Sequence, residues 1–517
     1  MSEMKILWAD DEIELLKPHI IFLESKGYSV NTVNNGVDAL DKLKEEDFDL
    51  VFLDENMPGL GGLDVLKELK ELQPSLPVVM ITKNEEEHIM EDAIGSKIED
   101  YLIKPVHPKQ MLLTIKRVVD NKRLVTEKVT SNYQQAFREI MMQLMEGPGL
   151  EELKAIYKKI VFYELAIQNS DETGLEEVLE TQKTEMNREF SKYIRRNYMD
   201  FVRDRGEDTP VMSHNLMHRK VVPELKNGKP VFFVLVDNLR FDQWKFLQPM
   251  IEELFRVRTE DMYLSILPTT TQYCRNAVFA GMLPSEIERE FRGKWLNDED
   301  EGGKNQFEEL FASELLKRLR IDAKLSYNKI LNLKGGKDLV EQIPNLFDND
   351  LNIIVYNFVD ALSHARTDFK IVRELAEDEA AYRSLTLSWF EHSPLYDALK
   401  KIAEQDATVI ITTDHGSVRV NEAVKIIGDR KTTTNLRYKT GKNLSYNEKD
   451  VFTVAKPQDA GLPTQHISSR FVFCQENDFF VYPNNLNHYA KYYRDTFQHG
   501  GVSVEEMLVP FIVLNKK

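Results

Sequence analysis

The sequence predicts a multi-domain α/β protein, and three observations carry that expectation. Across residues 1–121, short apolar runs alternate with helix-length amphipathic stretches. Residues 122–215 carry almost no strand signal. From residue 216 onward apolar runs return, and five of them end in, or lead into, residues of metal-binding type. The expected parts are an N-terminal doubly wound domain (1–121), a central helical bundle or linker (122–215) and a C-terminal α/β domain (216–517).

In the first part "MKILWAD", "YSVNTV", "FDLVFLD", "LPVVMIT" and "EDYLIKP" read as strands, each followed by a helical stretch such as "GVDALDKLKEE" or "GGLDVLKELKEL". Alternating βα units imply a parallel sheet covered on both faces. Acids sit at strand ends: Asp10 and Asp11 after the first, Asp54 after the third. Thr82 ends the fourth strand, and Lys104 follows the fifth.

The middle part is rich in Glu, Lys, Leu, Met and Gln, all good helix formers. "SNYQQAFREIMMQLM", "LEELKAIYKKIVFYELAIQ" and "TGLEEVLETQKTEMNREFSKYIRRNYMDFVRD" space apolar residues three and four apart. They predict three helices, the second opened by a Gly-Pro-Gly breaker. "RDRGEDTPVMSHN" reads as the loop into the last part.

In the third part "VFFVLVDN" delivers Asp237, "SILPTTTQY" Thr271, "NIIVYNFVDALSH" Asp360 and His364, "TVIITTDHG" Asp414 and His415, and "FQHGGVSVEEMLVP" His499. A buried strand ending in Asp puts a carboxylate at the carboxyl edge of a sheet, where ligands bind in open α/β folds. Asp360 and His364 lie four apart, so one helical turn aims both at one point. Mixed carboxylate and imidazole ligands suit zinc, with manganese second. Two such ions stabilise the attacking and leaving oxygens of an in-line displacement at phosphorus, and a metal lowers the pKa of a threonine hydroxyl. For the last histidine, His488 and His466 are rivals of His499 on sequence alone.

Composition bounds the remaining choices. At 517 residues and 42% hydrophobic content the chain builds two to four domains with real cores. No apolar run approaches the ~18–20 residues of a membrane span, and no signal peptide is evident before the first strand. Two cysteines, Cys274 and Cys474, give no disulfide framework, so a cytoplasmic protein is expected. A net charge of −18 opposes nonspecific binding to duplex DNA. A basic stretch at 429–449 reads either as a solvated loop or as a lid that meets anionic phosphates.

The Asp-Asp, Asp, Thr, Lys-Pro order with "LDENMPGLGGLDVL" resembles the receiver domain of two-component response regulators. That resemblance makes Asp54 the phosphoryl acceptor and Asp10, Asp11 and Asp54 the Mg²⁺ site. It gives Lys104 and Thr82 to the phosphoryl group and makes Tyr101 the switch aromatic. Lys83, where a small residue is usual, departs from the pattern. The C-terminal order resembles the alkaline phosphatase superfamily, in particular its nucleotide pyrophosphatase/phosphodiesterase branch and the PglZ domain. "PTTT" fits the Pro-x-x-Thr nucleophile motif at Thr271, and "HGGVSVEEMLVPF" favours His499 over its rivals. The resemblance implies one Zn²⁺ on Asp360, His364 and His499, and another on Asp237, Thr271, Asp414 and His415. Gln272-Tyr273 departs from the related diesterases.

The whole arrangement is similar to PorX-type response regulators. It implies a sensor histidine kinase, hydrolysis of nucleotide or oligonucleotide phosphodiesters and a homodimer promoted by phosphorylation. It also implies contact with a type IX secretion motor component or a sigma factor. The alternative is a phosphorylation-controlled interaction scaffold whose hydrolysis is incidental.

Overall fold

The computed structural model describes the chain apart from residues 1–3, 74–75, 84–97, 99, 169–172, 205, 207, 369–377, 429–431, 465 and 467. It divides into two compact units, one ending at Gln135 and the other built from Ala136–Gln168 and Glu172–Lys517.

The first unit is a five-stranded sheet of β1 (Met4–Ala9), β2 (Tyr28–Val33), β3 (Leu50–Asp54), β4 (Val78–Thr82) and β5 (Asp100–Ile103). Its order is β2-β1-β3-β4-β5 and every pair is parallel. Strands β3 and β4 are buried throughout, as a sheet covered on both faces requires. On one face Leu7, Val51 and Leu53 pack with Ala39, Leu40 and Leu43 of the helix Gly36–Glu45 and Val65, Leu66 and Leu69 of the helix Gly62–Leu72. On the other face Ile6, Trp8 and Phe52 pack with Leu23 of the helix Lys17–Glu24 and with Met111 and Ile115. This is the doubly wound arrangement that the alternation predicts.

Three long helices follow, Pro108–Met145, Leu150–Gln168 and Thr173–Arg203. The first is continuous with the last helix of the N-terminal fold, and the boundary between the units falls within it. The predicted Gly-Pro-Gly breaker lies in the gap between the first two.

In the second unit the main sheet combines β6 (Val231–Val236), β7 (Phe255–Leu264), β8 (Leu325–Ile330), β9 (Leu351–Tyr356), β10 (Thr408–Thr412) and β18 (Leu508–Lys516). The order is β7-β18-β10-β6-β9-β8. Strands β10, β6, β9 and β8 run parallel, and β18 lies antiparallel to both its neighbours. Strands β6, β9 and β10 are buried at every residue, which explains why they read as unbroken apolar runs.

Between β10 and β18 the chain folds into short strands: β11 (Val418–Arg419), β12 (Glu422–Lys425), β13 (Tyr438–Gly441), β14 (Val451–Val454), β15 (Arg470–Cys474), β16 (Asp478–Val481) and β17 (Phe497–Gln498). The basic stretch lies here, with 429–431 outside the described residues. Around its centre it is not a solvated loop. Arg437 is buried against Glu506 at 2.6 Å, and the buried Lys439 donates to the Thr433 carbonyl at 2.7 Å. Among the described residues no acid pairs with Lys439, and burial pushes its pKa down to about 8.

A buried ion-pair network fastens the second and third long helices to the helices Phe241–Leu254 and Glu379–Glu391 of their unit. Lys183 lies 3.1 Å from Glu164 and 3.2 Å from Glu379. Arg383 lies 2.9 Å from Glu164 and 3.0 Å from Asp242, which also pairs with Arg240 at 2.6 Å. Removing one member strands its partners without water, a cost of roughly 3–5 kcal/mol.

Candidate functional site

Two acid clusters lie at the carboxyl edges of the two sheets. In the first unit Asp10, Asp11 and Asp54 present ligand atoms within 4.8 Å of one another. Register explains the meeting: β1 and β3 are adjacent and parallel, so residues just past their ends share one edge. Lys104 brings its ammonium 3.0 Å from Asp10 and 2.9 Å from Asp54. Burial, with the charges of Asp10 and Asp11, pushes the Asp54 carboxyl up to about 6 against the pull of Lys104. A carboxylate held so high is short of positive charge, and the three acids fit a hard divalent cation. Thr82 donates to Glu55. Lys83 pairs with Glu12 at 3.3 Å, both half exposed, and Tyr101 is 38% exposed on β5. Gly62 sits where a Cβ would lie 2.2 Å from the Asp54 carbonyl oxygen, so only glycine allows the chain to pass this close.

In the second unit β6 delivers Asp237, β9 leads into the helix Phe358–Asp368 with Asp360, and β10 delivers Asp414 and His415. These three strands are neighbours in the order β10-β6-β9, so all their termini open at one edge. Asp237, Asp414 and His415 are fully buried and offer ligand atoms within 4.8 Å of one another. Thr271 is the first residue of the helix Thr271–Ala280. Its Oγ1 lies 3.3 Å from Asp237 Oδ1 and 3.1 Å from His415 Nε2. A helix N-terminus at this point favours an anionic group.

Beside this cluster His499 Nε2 lies 3.7 Å from Asp360 Oδ1, and the His499 and His415 rings stack with centroids 4.4 Å apart. His364 belongs to the same helix as Asp360, and its side chain lies outside the described residues. His488 and His466 are exposed.

The donor chemistry fits divalent metal. His415 Nδ1 is bonded to the Gly416 carbonyl and His499 Nδ1 to the Thr269 carbonyl, at 3.0 and 3.1 Å. A carbonyl only accepts, so each Nδ1 carries the proton and each Nε2 keeps its lone pair, an arrangement found around ligating histidines. Asp414 Oδ2 is buried with no hydrogen-bond partner, and burial beside Asp237 holds this carboxyl well above its ordinary range. Gly416 allows the close packing here, since a Cβ would lie 2.0 Å from the Glu505 carbonyl oxygen. Glu506 accepts from the Gly501 amide at 2.9 Å and from Ser503 Oγ at 2.7 Å, which pins the His-Gly-Gly segment.

Sequence reasoning missed one group. Arg275 stands four residues after Thr271, one helical turn on, and is fully buried. Its Nη1 donates to Asp237 Oδ2 at 2.8 Å and to Asn357 Oδ1 at 3.2 Å, and its Nε donates to Glu308 at 2.6 Å. Lys329 holds the other Glu308 oxygen at 2.9 Å. The i, i+4 spacing from Thr271 was the available signal for Arg275. Glu308 and Lys329 had none.

The chain is similar to known proteins in three stretches. Residues 216–514, more than half of the chain, match the family described as the BREX system PglZ alkaline phosphatase-like domain. Residues 6–116 match the response regulator receiver domain, and 123–202 the PorX response regulator linker domain. Among curated relatives, the transcriptional regulatory protein ZraR of Klebsiella oxytoca is 36% identical over 25% of this chain and 29% of its own. ResD of Bacillus subtilis is 31% identical over 23% of this chain and 49% of its own. The chain thus spans half or less of the length of these relatives. A CheY-like receiver domain protein from Methanospirillum hungatei is 28% identical, with a TM-score of 0.23, over 23% of this chain and 96% of that one.

Proposed function

The chain belongs to the PglZ alkaline phosphatase-like family and is a PorX-type two-component response regulator, and on that premise we propose that its output domain is a metal-dependent phosphodiesterase switched by phosphorylation of Asp54. The observation that carries this reading is the placement of Thr271. Its hydroxyl sits at a helix N-terminus between Asp237 and His415, each a buried ligand type. A docking scaffold stabilised by metal has no use for a hydroxyl there, which favours the enzyme over the scaffold.

Asp237, Thr271, Asp414 and His415 would hold one ion, and Asp360, His364 and His499 the other, with zinc preferred by the mixed donors. Bound there, the ions would supply Lewis-acid polarisation and a lowered hydroxyl pKa. Thr271 Oγ1 attacks phosphorus while its proton passes through solvent to the departing alcohol, which leaves from the opposite side. The resulting phosphodiester on Thr271 still carries the other ester group, and water then cleaves its Thr271–phosphorus linkage to release the monoester. Arg275 keeps Asp237 Oδ2 engaged, which leaves Oδ1 turned toward Thr271.

In the first unit Asp54 would accept the phosphoryl group from a sensor histidine kinase, and Asp10, Asp11 and Asp54 would hold a Mg²⁺ that offsets its charge. Lys104 and Thr82 hold the new charge, and Tyr101 reports it. Nucleotide or oligonucleotide diesters as substrate, a phosphorylation-promoted homodimer, a cytoplasmic location and a link to type IX secretion or a sigma factor complete the proposal. No described helix is long and apolar enough to cross a membrane.

The test is hydrolysis of bis(p-nitrophenyl) phosphate by protein purified without chelator, paired with elemental analysis. Turnover that chelation abolishes and zinc restores is expected, with close to two ions per chain. Full turnover in metal-free protein would sink the reading.

A further inference from the structure

In the third long helix, Thr173–Arg203, the buried stripe of Phe190, Ile194 and Val202 is what an amphipathic helix offers to a core. Two polar side chains, Asn187 and Tyr198, are buried on the same stripe. They stand eleven residues apart, which is three helical turns to within about 20°, so both lie on one face, roughly 16 Å apart along the axis. A buried polar group is costly unless it is hydrogen-bonded. Each of these two is bonded to the backbone of a segment that carries the centre.

Tyr198 Oη accepts the Leu267 amide at 2.7 Å, four residues before Thr271. Asn187 Oδ1 accepts the Val504 amide at 2.8 Å, five residues after His499, and its Nδ2 donates to the Glu505 carboxylate at 3.0 Å. Val504 opens the short helix Val504–Met507, so its amide is one of the first-turn donors that the helix itself cannot satisfy. The same two segments are tied to each other at the buried Thr269. Its Oγ1 accepts the Gly500 amide at 2.9 Å and donates to the Gly501 carbonyl at 3.0 Å. Its carbonyl accepts the His499 Nδ1 proton at 3.1 Å. Nucleophile segment, histidine segment and long helix therefore close into a frame, with a hydrogen-bonded joint at each corner.

We propose that Asn187 and Tyr198 are positioning residues, through which the helix Thr173–Arg203 sets Thr271 and His499 relative to each other. The stretch 123–202, similar to the linker domain of a response regulator, then supplies one side of the catalytic frame and is not a mere spacer. The proposal rests on the diesterase reading for Thr271, and on zinc binding alone for His499.

The full-length protein tests this with three single substitutions and two readouts. These are kcat and KM for bis(p-nitrophenyl) phosphate, and zinc affinity by competition with a chromogenic chelator. Tyr198→Phe keeps the ring and removes the acceptor. It should lower kcat about tenfold to a hundredfold, the upper end being the cost of a ~1 Å displacement of a reacting atom, with KM and zinc affinity unchanged. Asn187→Ala releases the segment that carries His499. It should weaken zinc binding about tenfold, at the low end for lost support of a metal ligand, and excess zinc should restore kcat. Ser191→Ala is the control: Ser191 is buried on the same face between the two, and its hydroxyl has no hydrogen-bond partner among the described residues. Neither readout should move in it. A purely structural role gives no such split, only losses that follow the melting temperature. Wild-type kcat in Tyr198→Phe overturns the proposal, even where Asn187→Ala fails to fold, and so does an equal loss in Ser191→Ala. If the wild-type protein turns over no diester, the diesterase reading falls, and zinc affinity still decides: an unchanged value in Asn187→Ala overturns the frame, and a weakened one supports it.

Discussion

Both acid clusters stand at the carboxyl ends of adjacent parallel strands, yet they are neutralised in different ways. In the N-terminal unit the cation is a single ammonium: Lys104 reaches Asp10 and Asp54 from a long stem that remains 13% exposed. In the C-terminal unit it is a planar guanidinium, Arg275, forked between Asp237 and Glu308 and buried on every side. Lysine is a compact charge that follows a moving partner, while the arginine fork is pre-organised and fixes geometry. A site that gains and loses a phosphoryl group needs the first. A site that must hold a nucleophile against phosphorus turnover after turnover needs the second. On the proposed function, the two clusters, alike in composition, are built for change and for constancy.

The largest expected effect strikes the constant site. Thr271→Val keeps the shape and removes the hydroxyl, so diester turnover should fall by about 10⁴–10⁶, as losses of covalent nucleophiles do, while elemental analysis still finds metal. Near wild-type turnover would assign the attack to water instead. Next, Arg275→Lys keeps the charge and loses the fork. We expect kcat to drop by about 10²–10³, the range for a lost electrostatic donor, with Asp237 no longer held. If lysine serves as well as arginine, geometry is not what the fork provides, and the contrast with Lys104 fails.

A third prediction concerns the changing site through pH. Asp54 ionises near 6 in the folded state and near 3.8 when free. Its folded pKa is raised, so the unfolded chain gives up this proton first as pH climbs. Without Mg²⁺ the wild type should therefore lose stability relative to Asp54→Asn between about pH 4 and 6, by up to ~3 kcal/mol. Denaturant titrations across that range check it, and saturating Mg²⁺ should flatten the difference. A wild type that instead gains on the variant with rising pH would mean Lys104 already neutralises the cluster. The smallest effect is the coupling between units. Beryllofluoride should raise the mass seen in light scattering and bias hydrolysis by roughly 5–150-fold, the usual span of allosteric coupling. Asp54→Ala should abolish both responses.

Much of this was legible without a structure because it is local. A strand buried on both faces reads as an unbroken apolar run, and the polar residue that follows must stand at the sheet edge. Asp10, Asp54, Asp237 and Asp414 are all visible this way, as is the helical turn that carries Asp360 and His364. Helix spacing placed the three long helices and the breaker between them. What no local pattern contains is the pairing of buried charge. Glu308 meets Arg275 and Lys329, and Asp298 meets Tyr273 and Tyr438, across long stretches of chain. The basic stretch read as exposed because its charges were countable but its partner, Glu506, was not. A charge's cost of burial depends on what the sheet order brings beside it. The sequence by itself determined which side chains reach the two edges, and only the tertiary structure decided which cations answer them, because Coulomb energy in a dry interior depends on distance in space and not along the chain.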